Sequence, residues 1–222
     1  MYSIGVIDTG VDINHKILQG YINVKLSKSF IDESLQDNSG HGTGVCGVIL
    51  SGDKITHNNT EIIMCKISNG DSFNINNFIK ALEYLISLKV FVINMSLSIK
   101  RDNIDDKNYQ KILDLLREAI KKDIVIVGSS GNSKIKDNIL LDIIDEIFLI
   151  TSLNCYGKIA SYSKKIKNSY SFFGGDLTFS EDGNDLDRHL VYSSYPTNLG
   201  FNHFNNFGVP IGYCLYYGTS IA

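Results

Sequence analysis

Ser3-Ile4-Gly5-Val6-Ile7-Asp8-Thr9-Gly10 is a run of small and apolar residues that ends in an acid, a hydroxyl and a glycine. An apolar run without alternation is what a strand covered on both faces requires. The Asp-Thr-Gly that follows closes the strand in a turn. Runs of the same kind recur at residues 62–67, 90–95, 124–127 and 147–150. Between them lie helical patterns. Residues 41–50 form a short one that starts in a glycine-rich turn. Residues 75–88 set Ile75, Phe78, Ile79, Leu82, Leu85 and Ile86 on one stripe, and residues 109–121 do the same with Ile112, Leu115, Leu116, Ala119 and Ile120. Strand and helix in alternation predict an α/β fold, a mostly parallel central sheet flanked by helices. After about residue 155 the chain turns to short pieces rich in Ser, Tyr, Asn and Gly, read as loops and short antiparallel strands. With no repeat and no linker, residues 1–222 are read as a single domain.

Composition narrows the classes of partner. The 222 residues are 43% hydrophobic and 20% charged, with a formal net charge of -3. That balance suits a sizeable core and gives no reason to expect nucleic acid or a membrane surface. No apolar stretch approaches the roughly 20 residues of a membrane span. The first residues lack the basic start and small-residue cleavage site of a signal peptide, so the expected compartment is cytoplasmic. Cys46, Cys65, Cys155 and Cys214 are widely spaced and form no Cys-x-x-Cys pair. Reduced thiols are expected there, with no metal site and no cofactor.

Chemistry concentrates in a few short words. Asp8-Thr9-Gly10, His41-Gly42-Thr43 and Gly218-Thr219-Ser220 each set a reactive side chain among small residues, and Ser130-Gly131-Asn132 adds a carboxamide. Taken singly, each has a plain reading: a turn, a helix cap, a loop. Together they supply an acid, a base and a hydroxyl nucleophile. Asp8, Ser96 and Asn132 each follow one of the apolar runs, so all three fall on the carboxyl edge of the sheet, where ligands bind.

These words resemble those of the subtilisin-like serine peptidases. The match takes in Val6-Ile7-Asp8-Thr9-Gly10-Val11-Asp12, His41-Gly42-Thr43-Gly44-Val45-Cys46-Gly47, Val92-Ile93-Asn94-Met95-Ser96-Leu97-Ser98, Gly131-Asn132 and Gly218-Thr219-Ser220-Ile221-Ala222. The resemblance implies a three-layer architecture and a serine endopeptidase, with leader-peptide or propeptide processing one of its known uses. It implies that Ser220 attacks the scissile carbonyl, that His41 relays the proton and that Asp8 orients His41. Asn132 and a backbone amide near Ser220 would bind the oxyanion. A peptide or protein substrate would pair with Ser96-Leu97-Ser98, and its side chain before the cleaved bond would enter a pocket framed by those residues and Gly128-Ser129-Ser130-Gly131. These segments carry no acid, which argues against dedicated Arg or Lys selection.

Departures from the pattern set further expectations. Gly44 stands where relatives commonly have histidine, and Ser98 stands where they often have glycine, which narrows the pocket entrance. The stretch from Asn132 to Ser220 is long, with the excess around residues 173–188. In the family the serine opens a long buried helix, whereas this sequence ends at Ala222. The expectation is a domain incomplete at its C-terminus, a fragment or one finished by a completing polypeptide. The alternative is a catalytically inactive peptide-binding module. The absence of Gly-x-Ser-x-Gly and the order of the triad argue against a lipase or esterase of the α/β-hydrolase type. Among the remaining polar residues, His15 is read as structural and Asp12 as a hydrogen-bond partner near the site. His57, His189 and His203 are read as solvated loop residues, and residues 164–167 as a surface turn.

Overall fold

β1 (Tyr2–Asp8) is the central strand, with β3 (Thr60–Lys66) on one side and β4 (Val92–Met95) on the other. The structure is a computed structural model and describes residues 2–51, 60–70, 72–133, 138–177 and 186–222. β2 (Lys28–Ser29), β5 (Val125–Ser129), β6 (Phe148–Leu153) and β7 (Tyr170–Phe173) complete a seven-stranded sheet in the order β2-β3-β1-β4-β5-β6-β7. Every pairing in it is parallel. β8 (Val191–Ser194) and β9 (Tyr213–Tyr216) form a separate antiparallel pair.

Both faces of the sheet are covered, as the unbroken apolar runs require. Along β3, Ile63 and Cys65 face one layer while Ile62 and Met64 face the other. The first layer holds α2 (Ile75–Leu88) and α3 (Asp106–Lys121), which bury Phe78, Leu82, Leu85 and Leu116. The second holds α1 (His41–Ser51), which buries Val45, Cys46 and Leu50. Each such side chain contributes about 1.5–3 kcal/mol by leaving water. Asn74 caps α2 by accepting from the Asn76 amide at 2.8 Å, and Asp105 caps α3 by accepting from the Asn108 amide at 2.9 Å. Three-layer α/β packing thus matches the architecture that the resemblance implied.

The expectation for the later part of the chain needs correction. β8 and β9 are the short antiparallel strands read there, but β7 extends the parallel sheet beside β6. Tyr170, Ser171, Phe172 and Phe173 are all exposed, so this edge strand lacks the burial that marks the others. A kinked 3₁₀ segment, Ile139–Glu146, also covers part of the core with Ile139, Leu140 and Ile143. His57 lies outside the described residues, as does part of the excess at residues 173–188.

Lys66, at the carboxyl end of β3, is fully buried. Its ammonium donates to Asp32 Oδ2 at 2.9 Å and to the Gln36 carbonyl at 2.8 Å, pinning the loop that leads into α1. Burial pushes the Asp32 carboxyl up, but the bonds from Lys66, Ser29 and Ser34 outweigh it and hold its pKa at about 2. The unfolded value is about 3.9, so this carboxylate stabilises the fold above pH ~4 and loses its contribution as pH falls through ~2. Asp32→Asn will therefore flatten the fall in melting temperature between pH ~4 and ~2 relative to the wild type, as followed by circular dichroism.

Candidate active site

Parallel strands present their carboxyl ends to one edge, and the candidate residues gather there. Asp8 is the last residue of β1, His41 is the first of α1, and Ser96 follows β4. Asn132 follows β5, and the turn after β9 carries Ser220. The Asp8 side chain is 2% exposed and that of His41 33%.

His41 Nδ1 stands 2.7 Å from Asp8 Oδ1, and His41 Nε2 stands 3.0 Å from Ser220 Oγ. A carboxylate only accepts, so Nδ1 carries the proton and donates to it. Nε2 is left with a lone pair to accept from the Ser220 hydroxyl. The Thr9 amide donates to the same Asp8 oxygen at 2.8 Å. Asp8 Oδ2 is buried without a hydrogen-bond partner among the described residues.

Thr219 fixes the Asn132 carboxamide. Its amide donates to Asn132 Oδ1 at 2.8 Å and its hydroxyl donates to the same oxygen at 3.0 Å. That hydroxyl in turn accepts from the Gly131 amide at 3.1 Å. With Oδ1 occupied, Nδ2 is the free end of the amide. A Cβ on Gly218, whose φ is +147°, would lie 3.1 Å from Nδ2 and 3.2 Å from Ser220 Oγ. Glycine here supplies both the backbone angle and the open space between donor and nucleophile.

A cleft of about 420 Å³ runs beside the triad and is lined by Ser96, Leu97, Ser98, Ser129, Gly131 and Asn132. Two other expected wall residues lie elsewhere. Gly128 borders a second, apolar cavity of about 360 Å³ beneath Ser220, and Ser130 turns a buried hydroxyl away from any partner among the described residues. β5 ends at Ser129, which sets Gly128 a residue too deep in the sheet to meet the cleft. The Ser96 hydroxyl donates to the Ser220 carbonyl at 2.8 Å, so it fastens the nucleophile turn as well as bordering the cleft. Ser98 Oγ comes within 3.1 Å of where a Cβ of Gly131 would sit. Phe73, Lys100 and Tyr217 also line the cleft and carry no sequence signature that would single them out.

Five other residues with expectations meet the structure here. Asp12 accepts from the Thr197 amide and hydroxyl at 2.8 and 2.6 Å, so its carboxylate holds the segment after β8 and does not reach the triad. Burial pushes its pKa up, but these bonds and one from Asn14 outweigh that and leave it below the usual range. His15 is buried, with Nε2 2.7 Å from the Gly212 carbonyl, a structural role as expected. His203 is exposed as expected, but His189 is 6% exposed and packs against Cys155, which corrects its reading as a solvated residue. Gly44 has a packing reason: a Cβ there would meet the Tyr216 ring at 2.5 Å, and the Tyr216 hydroxyl is held by the Gly40 and Ser194 carbonyls.

Asp37 is the positioning residue that sequence reasoning missed. It is fully buried. Its Oδ1 accepts from the Thr9 hydroxyl and the amides of Ser39 and Gly40, each at 2.9 Å, and its Oδ2 accepts from the Thr43 amide at 2.9 Å. The carboxylate thereby ties the residue after Asp8 to the helix turn that carries His41. An acid four residues before a helix-opening histidine was the available signal. Asp37→Asn turns an NH₂ group toward N–H donors. It will cost about 1–3 kcal/mol by chemical denaturation, and will slow fluorophosphonate labelling of Ser220 by about tenfold or more.

With this geometry in view, the comparisons with known proteins can be stated. A family model described as the Subtilase family matches residues 2–222. The Major intracellular serine protease of Bacillus subtilis (strain 168) is 26% identical over 142 residues, covering 58% of this chain and 42% of that protein. Curated relatives of this kind are matched over 10–42% of their own length. A solved structure of a lanthipeptide protease superposes with a TM-score of 0.82 at 22% identity, covering 100% of this chain and 69% of that one. The nisin leader peptidase NisP from Lactococcus lactis superposes at 0.73 and 16% identity, covering 100% and 74%. At these identities the superpositions speak for the fold. With the family model matched from residue 2 to residue 222, the chain belongs to the subtilase family.

Proposed function

We propose that this protein is a serine endopeptidase that cleaves peptide bonds through an acyl-enzyme. One observation carries the reading: Asp8 Oδ1, both His41 nitrogens and Ser220 Oγ stand in a continuous relay at 2.7 and 3.0 Å. Ser220 Oγ attacks the scissile carbonyl carbon as His41 Nε2 takes its proton, and Asp8 stabilises the resulting imidazolium. The carbonyl oxygen gains negative charge and accepts from Asn132 Nδ2. Collapse breaks the carbon–nitrogen bond while His41 returns the proton to the leaving amine. Water, deprotonated by His41, then attacks the acyl ester and releases Ser220.

The substrate backbone pairs as an added strand with Ser96-Leu97-Ser98, and its side chain before the cleaved bond enters between that segment and Ser129–Gly131. Leader-peptide processing is the use this reading favours. Its support is the likeness to two structural neighbours, a lanthipeptide protease and a nisin leader peptidase. A cytoplasmic setting is supported by four unpaired cysteines, as thiols persist in a reducing compartment. Among the described residues no helix is long and apolar enough to cross a membrane. The apolar cavity beneath Ser220, bordered by Val45, Phe148, Phe172 and Ile221, favours a completing polypeptide that covers it.

Labelling with a fluorophosphonate tests the reading directly. The protein will label at Ser220, and both Ser220→Ala and His41→Ala will abolish labelling. Asn132→Ala will lower turnover of a peptide substrate by about 10²–10³. A folded protein that binds peptide but takes no label would instead be a peptide-binding module.

A further inference from the structure

Cys155 is the one exposed cysteine, since Cys46, Cys65 and Cys214 are buried. It does not line the cleft beside Ser220. Its Sγ stands 3.4 Å from Nδ1 of His189, the last residue of α4 (Leu186–His189). The His189 ring is buried and held in place, with the Tyr156 ring edge-on to it at 6.0 Å. Its backbone is fastened too, because the Asp176 amide donates to the His189 carbonyl at 2.8 Å.

The cysteine sits on an equally rigid support. Asn154 Oδ1 accepts from the amides of Tyr156 and Lys158, each at 3.0 Å, and the Asn154 amide donates to the Lys158 carbonyl at 2.8 Å. This turn presents the thiol to solvent while the imidazole stays behind it. Asn154 is itself buried, and its Nδ2 has no acceptor among the described residues, which leaves one unspent donor on the turn. A solvent-facing sulfur within hydrogen-bond reach of a fixed imidazole nitrogen sets a nucleophile beside a base.

We propose that Cys155 and His189 form a nucleophilic thiol site separate from the triad, which takes low-molecular-weight disulfides. The proton passes from Cys155 Sγ to His189 Nδ1, and the thiolate attacks one sulfur of the disulfide. A new sulfur–sulfur bond forms to Cys155, the old one breaks, and the departing thiolate takes the proton back from His189. Substrate and product are each a disulfide plus a thiol, so the exchange balances without a further oxidant.

The test uses 2-hydroxyethyl disulfide, a small neutral probe, with intact-mass detection of the mixed disulfide at pH ~7. The native protein will gain one adduct, at Cys155, and Cys155→Ser will gain none. The initial rate will exceed the per-thiol rate of the urea-unfolded chain by about tenfold. His189→Gln will remove that excess while keeping the wild-type melting temperature. A native rate no higher than the unfolded one overturns the proposal, as does a folded His189→Gln with an unchanged rate. Should His189→Gln fail to fold, the ratio of native to unfolded rate in the wild type decides the question alone.

Discussion

Two buried carboxylates at the junction of β1 and α1 set the terms for the rest of the site. An ionised carboxylate removed from water must be met by donors, since leaving it bare costs several kcal/mol. Asp37 meets this demand with four donors drawn from Thr9, Ser39, Gly40 and Thr43. Asp8 is only partly met: the Thr9 amide and His41 reach Oδ1, while Oδ2 has no partner among the described residues. The contrast has a chemical logic. The satisfied carboxylate is structural and fixes where the strand end and the helix start meet. The under-satisfied one is the carboxylate that His41 reaches, and in the proposed mechanism it would stabilise an imidazolium there.

Parallel topology does the gathering. β1, β4 and β5 are neighbours that run the same way, with Val6 beside Asn94 and Asn94 beside Val127. Their carboxyl ends therefore deliver Asp8, Ser96 and the Ser129–Asn132 segment to one edge, though these residues lie far apart in sequence. β8 then locks α1 in place, because Ser193 Oγ and Ser194 Oγ donate to the Gly44 and Thr43 carbonyls, each at 2.7 Å. The turn with Ser220 comes straight out of β9, the partner of β8. Ser220 and His41 are thus carried by elements that bond to each other outside the site.

Much of this was legible because burial leaves a mark on sequence. Strands covered on both faces must be apolar throughout, which exposed β1, β3, β4, β5 and β6. A helix covered on one face must carry a stripe, which exposed α2 with its ends correct at Ile75 and Leu88. The catalytic words stood out because close approach demands glycine beside each reactive group. Elements without such a demand stayed hidden. β7 has four exposed side chains and joins the sheet at its edge, where Ser171 Oγ lies 2.7 Å from Thr151 Oγ1 and the Tyr170 ring meets that of Phe148 at 5.1 Å. Asp37 acts through hydrogen bonds that only the folded loop creates. His189 lies in a polar stretch and is buried by its neighbours in space, Cys155 and Tyr156, which are remote in sequence.

The nucleophile turn shows how polar and apolar forces divide the work. Ser220 is placed by directional bonds: Ser96 Oγ to its carbonyl, Asn132 Oδ1 to the Thr219 amide, and the Gly218 amide to the Gly174 carbonyl at 2.9 Å. Each such bond is worth only about 0.5–1.5 kcal/mol net, yet together they leave little freedom of direction. Persistence comes from Ile221, buried beside Val45 and Leu50 and worth about 1.5–3 kcal/mol. Directional bonds can aim Oγ at Nε2 to within hydrogen-bond tolerance, but they exchange readily with water. Burial cannot aim anything, yet it keeps water away from the bonds that do. The 360 Å³ apolar cavity under the turn is where that second force is still unspent. Filling it would stiffen the nucleophile without touching the geometry of the triad.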